Sequence, residues 1–323
     1  MLICTGASPF IPPIEGFRSS GVFTLGSLSD VENIQEFLEK REVNNCLVIG
    51  AGFIGLEAAE ALEELGLNVH IVEILDQILP NLLDKSTADI FQKTLEEADI
   101  QVHLNTELQK ISGDPVESVM VESKDSGKRK IPCDLVISAA GMKPNIDLAK
   151  NTQIKTNNGI IVNKKMETEV NDIYAAGDVT EAYNIFEERC VNLTWPSAVF
   201  QGKAAGANMV GEEKEYLDLR QNIIDVFDTK IVSIGRTPTQ AEDLGLEKVW
   251  KNRDRTVRIG IFDSDMLVGF TSIGSEDAVE EAGAISALIE KEFEMENKEK
   301  IWIQGFSGER FIDEFGLFPK RGH

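Results

Sequence analysis

Basic charge is in short supply: 32 lysines and arginines face 55 aspartates and glutamates among 323 residues, a formal net charge of −23. That balance argues against sequence-independent nucleic-acid binding, which needs surplus cations to neutralise phosphates. An anionic membrane surface would repel the chain for the same reason. Cysteine is sparse and scattered: Cys4, Cys46, Cys133 and Cys190 form no C-x-x-C pair and no zinc spacing. Cys46 and Cys133 lie in apolar, strand-like runs and read as small buried hydrophobes. His70, His103 and His323 are too dispersed for a metal site, so no metal is expected. No apolar run approaches the roughly 18 residues that span a bilayer. The longest, Cys46 to Leu56, is interrupted by Gly50, Gly52 and Gly55 and stops at Glu57. Neither a basic n-region nor an apolar h-region of signal-peptide length opens the sequence, so a cytoplasmic location is expected.

What is present is the composition of a folded chain, 42% hydrophobic and 27% charged, with a length suited to roughly two or three domains. Leu2-Ile3-Cys4 is strand-like and precedes a turn-rich stretch with Pro9, Pro12, Pro13 and Gly16. Ser29 is the expected cap of a helix to about Arg41, with Val31, Ile34, Phe37 and Leu38 on one face. A strand–turn–helix–strand unit follows: Asn45 to Ile49, the glycine-rich Gly50 to Gly55, a helix from Leu56 to Leu65, and a strand from Asn68 to Glu73. Helices are further expected at Lys85 to Ala98, Pro196 to Val210 and Asp277 to Glu292. After Gly211 the alternating segments Ile223 to Asp228, Val257 to Asp263 and Met266 to Ile273 predict an antiparallel sheet, with a hairpin turn at Asp263-Ser264-Asp265.

The sharpest chemical signal is G-A-G-F-I-G at Gly50–Gly55. It follows a strand, opens a helix, and is followed 23 residues after Gly50 by the acidic Glu73 at the end of the next strand. Gly50 permits a tight turn, Gly52 lets the backbone approach a pyrophosphate, and Gly55 allows close helix–strand packing. The helix start offers free amides to phosphates. Glu73 can accept hydrogen bonds from the adenosine ribose and would repel a 2′-phosphate. Ile74, Leu75 and Asp76 supply no cation to offset that repulsion, so NADH is expected over NADPH. A second constellation pairs Thr5-Gly6 with the distant D-I-Y-A-A-G-D at Asp172–Asp178. There a small-residue strand end could bring one carboxylate to a ligand hydroxyl, or simply close a strand with an acidic turn.

Taken in order, six segments carry a resemblance: L-I-C-T-G-A-S-P at Leu2–Pro9, C-L-V-I-G-A-G-F-I-G-L-E at Cys46–Glu57, I-L-P-N-L-L-D at Ile78–Asp84, S-A-A-G-M-K-P-N at Ser138–Asn145, D-I-Y-A-A-G-D-V at Asp172–Val179 and Q-G-K-A-A-G-A-N-M at Gln201–Met209. The chain resembles the pyridine nucleotide–disulfide oxidoreductase superfamily, in the branch of NADH oxidases, rubredoxin and ferredoxin reductases and the flavin portion of nitrite reductases. The resemblance implies an α/β fold in four parts. Residues 1–28 would be a remnant of an FAD-binding domain, 29–147 an NAD-binding Rossmann domain inserted in it, 148–211 its second part, and 212–323 a C-terminal α+β interface domain with a tail.

It further implies that Gly50, Gly52, Phe53, Ile54, Gly55 and Glu73 hold NADH, with Gly141 passing beside it. Thr5 and Gly6 would line the flavin nucleotide, Gly177 and Asp178 would meet the ribityl chain, and Trp195 to Ala198 would pass beside the isoalloxazine ring. Trp195 alone could equally be a core aromatic. Glu57 matches a family carboxylate near the nicotinamide, and so is the candidate catalytic residue; an exposed acid stabilised by the helix dipole is the other reading. The implied activity is hydride passage from NADH to FAD and of electrons to an acceptor: a protein carrier, oxygen or a small molecule.

The likeness has gaps. The family's first FAD-binding β-α-β unit, with its own glycine turn, would precede the Thr5-Gly6 segment and is not in this sequence. A truncated sequence, a first unit carried on another chain, or a derived NAD-binding protein lacking flavin would each account for this. The family's C-terminal domain often contributes to a dimer interface, so a homodimer, or a complex with a chain that supplies that unit, is expected, and the alternative is an NAD-binding, non-catalytic subunit without stable FAD. No redox-active cysteine pair and no C-terminal histidine base accompany the other motifs, which disfavours thiol–disulfide chemistry. Arg253, Arg255 and Arg258 could form a basic patch for an acidic carrier or a solvated strand face. The aromatic tail with Trp302, Phe306, Phe311, Phe315 and Phe318 could cover a core or meet a partner.

Overall fold

The computed structural model describes residues 1–299 apart from 254, 255, 275 and 296. The aromatic tail from Ile301 and Arg255 lie outside the described residues. Residues 9–141 and 224–229 form one compact unit, and residues 1–8, 142–223 and those from 230 onward form another.

The first unit is built on a five-stranded sheet in the order Val22–Thr24, Leu135–Ser138, Asn45–Ile49, Asn68–Val72, Gln101–His103, with every neighbouring pair parallel. Its middle strand reads N-C-L-V-I because a parallel strand is buried on both faces: Cys46, Leu47 and Val48 are fully buried. Helices Leu28–Lys40, Phe53–Glu64 and Lys85–Glu97 connect or flank the strands. The antiparallel strands Thr106–Gly113, Val116–Ser123 and Gly127–Pro132 pack Val119, Val121 and Ile131 with Leu47, Ile49 and Val72 of the parallel sheet. The last of these strands has no apolar pattern to betray it. Its Lys128, Arg129 and Lys130 are exposed, the composition that protects a sheet edge.

Local chemistry moves two helix starts. Ser27, rather than Ser29, caps Leu28–Lys40: its hydroxyl accepts from the Asp30 amide at 3.2 Å, while the Asp30 carboxylate accepts from the Ser27 amide at 3.0 Å. This reciprocal box satisfies two orphan donors, which a serine two residues later could not do. The helix after the glycine turn begins at Phe53 rather than Leu56, so Gly55 lies inside it.

In the second unit, Leu2–Ile3 pairs parallel with Tyr174–Ala175, and Ile3, Ala175, Ala176 and Val179 pack with Ala204 and Ala205 of helix Trp195–Met209. Toward the C-terminus, strands run in the order Thr229–Gly235, Met266–Ile273, Thr256–Asp263, Glu247–Arg253, each neighbouring pair antiparallel. Helix Glu276–Glu290 lays Ala278, Ala282, Ile285 and Leu288 on Val232, Ile234 and Phe270 of that sheet. The expected hairpin turn is present, with Asp263 opposite Met266 and Ser264 at φ 55°. The whole is a mixed α/β fold, and no helix among the described residues is long and apolar enough to cross a membrane.

Candidate functional site

The glycine turn sits at the end of the middle parallel strand, where chain order reverses across the sheet, the position at which such sheets take ligands. Gly50 has φ +98°, and a Cβ there would meet the Ala139 carbonyl oxygen at 2.6 Å. A Cβ on Gly55 would come within 2.0 Å of the Gly50 carbonyl oxygen, so the helix can lie this close to the turn only with glycine. Around Gly52 the space is open, with no atom within 4 Å of a Cβ. Gly52 is also the N-cap of Phe53–Glu64, and no side chain caps that start. The first-turn amides, beside the exposed Phe53 and partly buried Ile54, thus remain available to an anion.

Glu73 is buried at 8% exposure. Its Oε2 accepts from the Ala51 amide at 2.8 Å and its Oε1 from the Leu75 amide at 2.9 Å. A carboxylate accepts about four hydrogen bonds, so each oxygen keeps a free lone pair. The Ala51 carbonyl in turn accepts from the Leu79 amide at 2.9 Å. Leu79 is buried and left-handed at φ 46°. The main chain of Ala51 is therefore held at both its amide and its carbonyl.

Glu57 stands in the second turn of the helix and is exposed. Desolvation, with the neighbouring Glu60, raises its carboxyl above the ordinary range. Gly141, at φ +106°, has open space where a Cβ would be and accepts at its carbonyl from the Phe10 amide at 2.8 Å. The buried Ser138 hydroxyl, which ends the neighbouring strand, has no partner among the described residues.

The second constellation lies in the other unit. The Thr5 hydroxyl donates to the Asn145 carbonyl at 2.7 Å, and Asn145 returns bonds from Nδ2 to the Thr5 carbonyl at 2.9 Å and from its amide to the Gly6 carbonyl at 2.8 Å. Gly6 (φ +66°) is open on its Cβ side. Gly177 (φ +83°) would bring a Cβ to 3.6 Å from the Ala198 Cβ. Asp178 is half-buried. Desolvation alone raises its carboxyl, and no described residue donates to it. Helix Trp195–Met209 also starts without a side-chain cap at Thr194.

An open glycine turn beside a buried acid fits a dinucleotide. An unpartnered half-buried carboxyl beside an uncapped helix start fits a polyhydroxylated, partly anionic ligand such as the flavin nucleotide. The profile of the family described as "Pyridine nucleotide-disulphide oxidoreductase" matches residues 1–202. The chain belongs to this family.

Among its relatives, an NADH oxidase of Methanocaldococcus jannaschii is 36% identical over 313 residues, 92% of this chain and 69% of that protein. An NAD(P)H coenzyme A polysulfide/persulfide reductase of Pyrococcus horikoshii is 36% identical over 75% of this chain and 54% of its own length. In structure, the NAD-dependent persulfide reductase of A. fulgidus superposes with a TM-score of 0.81 at 30% identity, covering 90% of this chain and 56% of that one. The chain thus spans little more than half of two of these three oxidoreductases.

Within this member of the family, two expectations change and the one for the cysteines holds. Arg258 is no part of a basic patch: it is 4% exposed and paired with the buried Glu281, because the strand turns it toward the helix-covered face. Trp195 is 79% exposed, which excludes its reading as a core aromatic. Cys46 and Cys133 are buried, their thiols pushed up to about 12 chiefly by desolvation, and all four cysteines are free.

Sequence reading did not single out Asn145, Leu79 or Gln201. Each lay inside a recognised motif, but only contacts between distant segments distinguish it from its neighbours.

Proposed function

We propose that the chain is the NADH-binding portion of an FAD-dependent oxidoreductase, NADH being preferred over NADPH. The observation that carries this reading is Glu73: a buried acid held by the Ala51 amide of the very turn that would receive the diphosphate, with lone pairs left for ribose hydroxyls. Gly50, Gly52, Phe53, Ile54 and Gly55 form the diphosphate cradle, and Gly141 leaves room beside it. Thr5, Gly6, Gly177, Asp178 and Ala198 hold the flavin nucleotide, Asp178 through its unpartnered carboxyl. FAD, when bound, supplies hydride acceptance from the nicotinamide and onward electron transfer to a protein carrier, oxygen or a small molecule. Glu57 contributes a carboxyl beside the nicotinamide. The other residues orient the reactants rather than move protons. Names of relatives support an oxidoreductase, among them a rubredoxin-NAD(+) reductase of Acinetobacter baylyi.

The test is an optical titration of the purified chain with added FAD. A visible flavin band that bleaches with NADH, and far more slowly with NADPH at equal concentration, supports the reading. A chain that saturates with NADH but never holds FAD supports the non-catalytic alternative.

A further inference from the structure

A buried polar chain runs behind the proposed flavin site. Asp218 is 3% exposed, and its Oδ2 accepts from Asn192 Nδ2 at 2.6 Å and Ser197 Oγ at 3.0 Å, while its Oδ1 accepts from the Tyr216 hydroxyl at 2.8 Å. Gln201, 1% exposed, donates from Nε2 to Ser197 Oγ at 3.1 Å. The Gln201 Oε1 accepts from the Gly177 amide at 2.9 Å and the Thr180 hydroxyl at 2.6 Å. Thr180 closes the loop by a second geometry of its hydroxyl, 2.8 Å from the Gly177 carbonyl. Gln201 joins helix Trp195–Met209 to the Gly177–Asp178 turn, and Ser197 joins the same helix to Asp218.

We propose that Gln201 is the positioning residue of the flavin site, bracing the Gly177–Asp178 turn against the uncapped start of helix Trp195–Met209 through Ser197 and Asp218. A left-handed glycine is free to reorient, and the carboxyl of its neighbour Asp178 has no partner among the described residues. Among the described residues, the only side-chain restraint on the Gly177 amide is the Gln201 carbonyl oxygen. Ser197 and Asp218 fix which way the Gln201 amide points: Ser197 already donates to Asp218, so it can offer Gln201 only a lone pair, and the NH2 must face it. The carbonyl oxygen is thereby turned to Gly177. The proposal rests on the flavin reading only for its consequence, not for the brace itself.

Two substitutions at one position test it. In Gln201→Met both the acceptor and the donor are lost with little change of volume. In Gln201→Glu a protonated carboxyl can still accept from Gly177 and donate to Ser197, whereas the ionised form presents an oxygen to a lone pair and sits near Asp218. The Gly177 amide exchange rate, read without FAD by hydrogen–deuterium exchange, should rise about tenfold in Gln201→Met at every pH. In Gln201→Glu the rate, taken relative to the parent chain at the same pH, should be near one at the acidic end of the stable range and grow as pH rises. FAD dissociation constants, followed by flavin fluorescence, should move in parallel. Equal exchange and equal FAD affinity in Gln201→Met and the parent chain would overturn the brace, as would a Gln201→Glu whose exchange relative to the parent chain does not change with pH. If the parent chain takes up no FAD, the flavin reading fails and amide exchange alone still decides the brace. Should Gln201→Met not fold, Ser197→Ala, which leaves the Gln201 acceptor in place but frees its orientation, must still speed Gly177 exchange.

Discussion

The amide of Ala51 donates to the carboxylate of Glu73 at 2.8 Å across 22 residues of sequence. The acid that would recognise the ribose is therefore also a strut of the turn that would hold the diphosphate. Removing it should do two things at once. Glu73→Ala is expected to weaken NADH binding at least tenfold and to destabilise the chain by about 1–3 kcal/mol, since the buried Ala51 amide and the Leu75 amide lose their acceptor. Glu73→Gln keeps one acceptor and should fall between. Nicotinamide fluorescence titration with thermal melting checks both, and undiminished NADH binding in Glu73→Ala would end the cofactor assignment.

Two glycines of the same turn should separate folding from binding. At Gly55 an added methyl meets the Gly50 carbonyl oxygen at 2.0 Å, so Gly55→Ala must push helix from strand and should lower stability by about 1–3 kcal/mol. At Gly52 the space is open and the backbone is extended at φ −77°. Gly52→Ala should melt within about 0.5 kcal/mol of the parent, yet lose NADH affinity because the methyl fills the approach to the diphosphate.

Glu57 separates binding from chemistry. Its substitution by Gln should leave the NADH dissociation constant within about twofold and slow flavin reduction about tenfold, equivalent to about 1.4 kcal/mol in the barrier. Stopped-flow bleaching of the flavin band distinguishes this from a helix acid with no part in the reaction, for which the rate would not change.

His70 Nδ1 and His103 Nε2 lie 3.0 Å apart on adjacent strands. Desolvation, with Arg129 nearby, lowers both imidazoles, and His103 falls to about 4. Because the unfolded chain binds protons more readily than the folded one, stability should be complete above an ordinary histidine pKa, roughly 6.5, and decline as pH falls from there toward about 4. The urea midpoint of the parent chain should therefore drop more between pH 7.5 and pH 5 than that of His103→Gln; equal drops would refute the assignment.

The buried Arg258–Glu281 pair should behave as coupled groups rather than as a surface bridge. Glu281→Leu alone leaves a guanidinium buried beside apolar Phe270 and should cost about 3–5 kcal/mol. Adding Arg258→Met should recover most of that loss in denaturant unfolding, and a failure to recover would mean the charge itself is needed.

The contrast between the two halves of the site explains what the sequence could reveal. Gly50, Gly52 and Gly55 announced themselves because each is demanded by backbone geometry within one short segment. Strands such as Asn45–Ile49 were legible from a continuous apolar run, and helix Lys85–Glu97 from its periodicity. Gly127–Pro132 was hidden because an edge strand of lysine and arginine looks like a solvated loop. Arg258 was misleading because its burial depends on Glu281 in a helix far along the chain, and Gln201 was silent because its oxygen meets the Gly177 amide and the Thr180 hydroxyl of a distant segment. Contacts of this kind leave no mark on composition or spacing.

The two peptide groups that meet at Ala51, one clasped by Glu73 at its nitrogen and the next by Leu79 at its oxygen, have little freedom left to surrender. A dinucleotide arriving there meets a mould already set, so little of its affinity is consumed by rearranging the chain. Its capture should then be paced by diffusion and charge, and should slow only slightly in viscous or cold solvent beyond what those alone dictate.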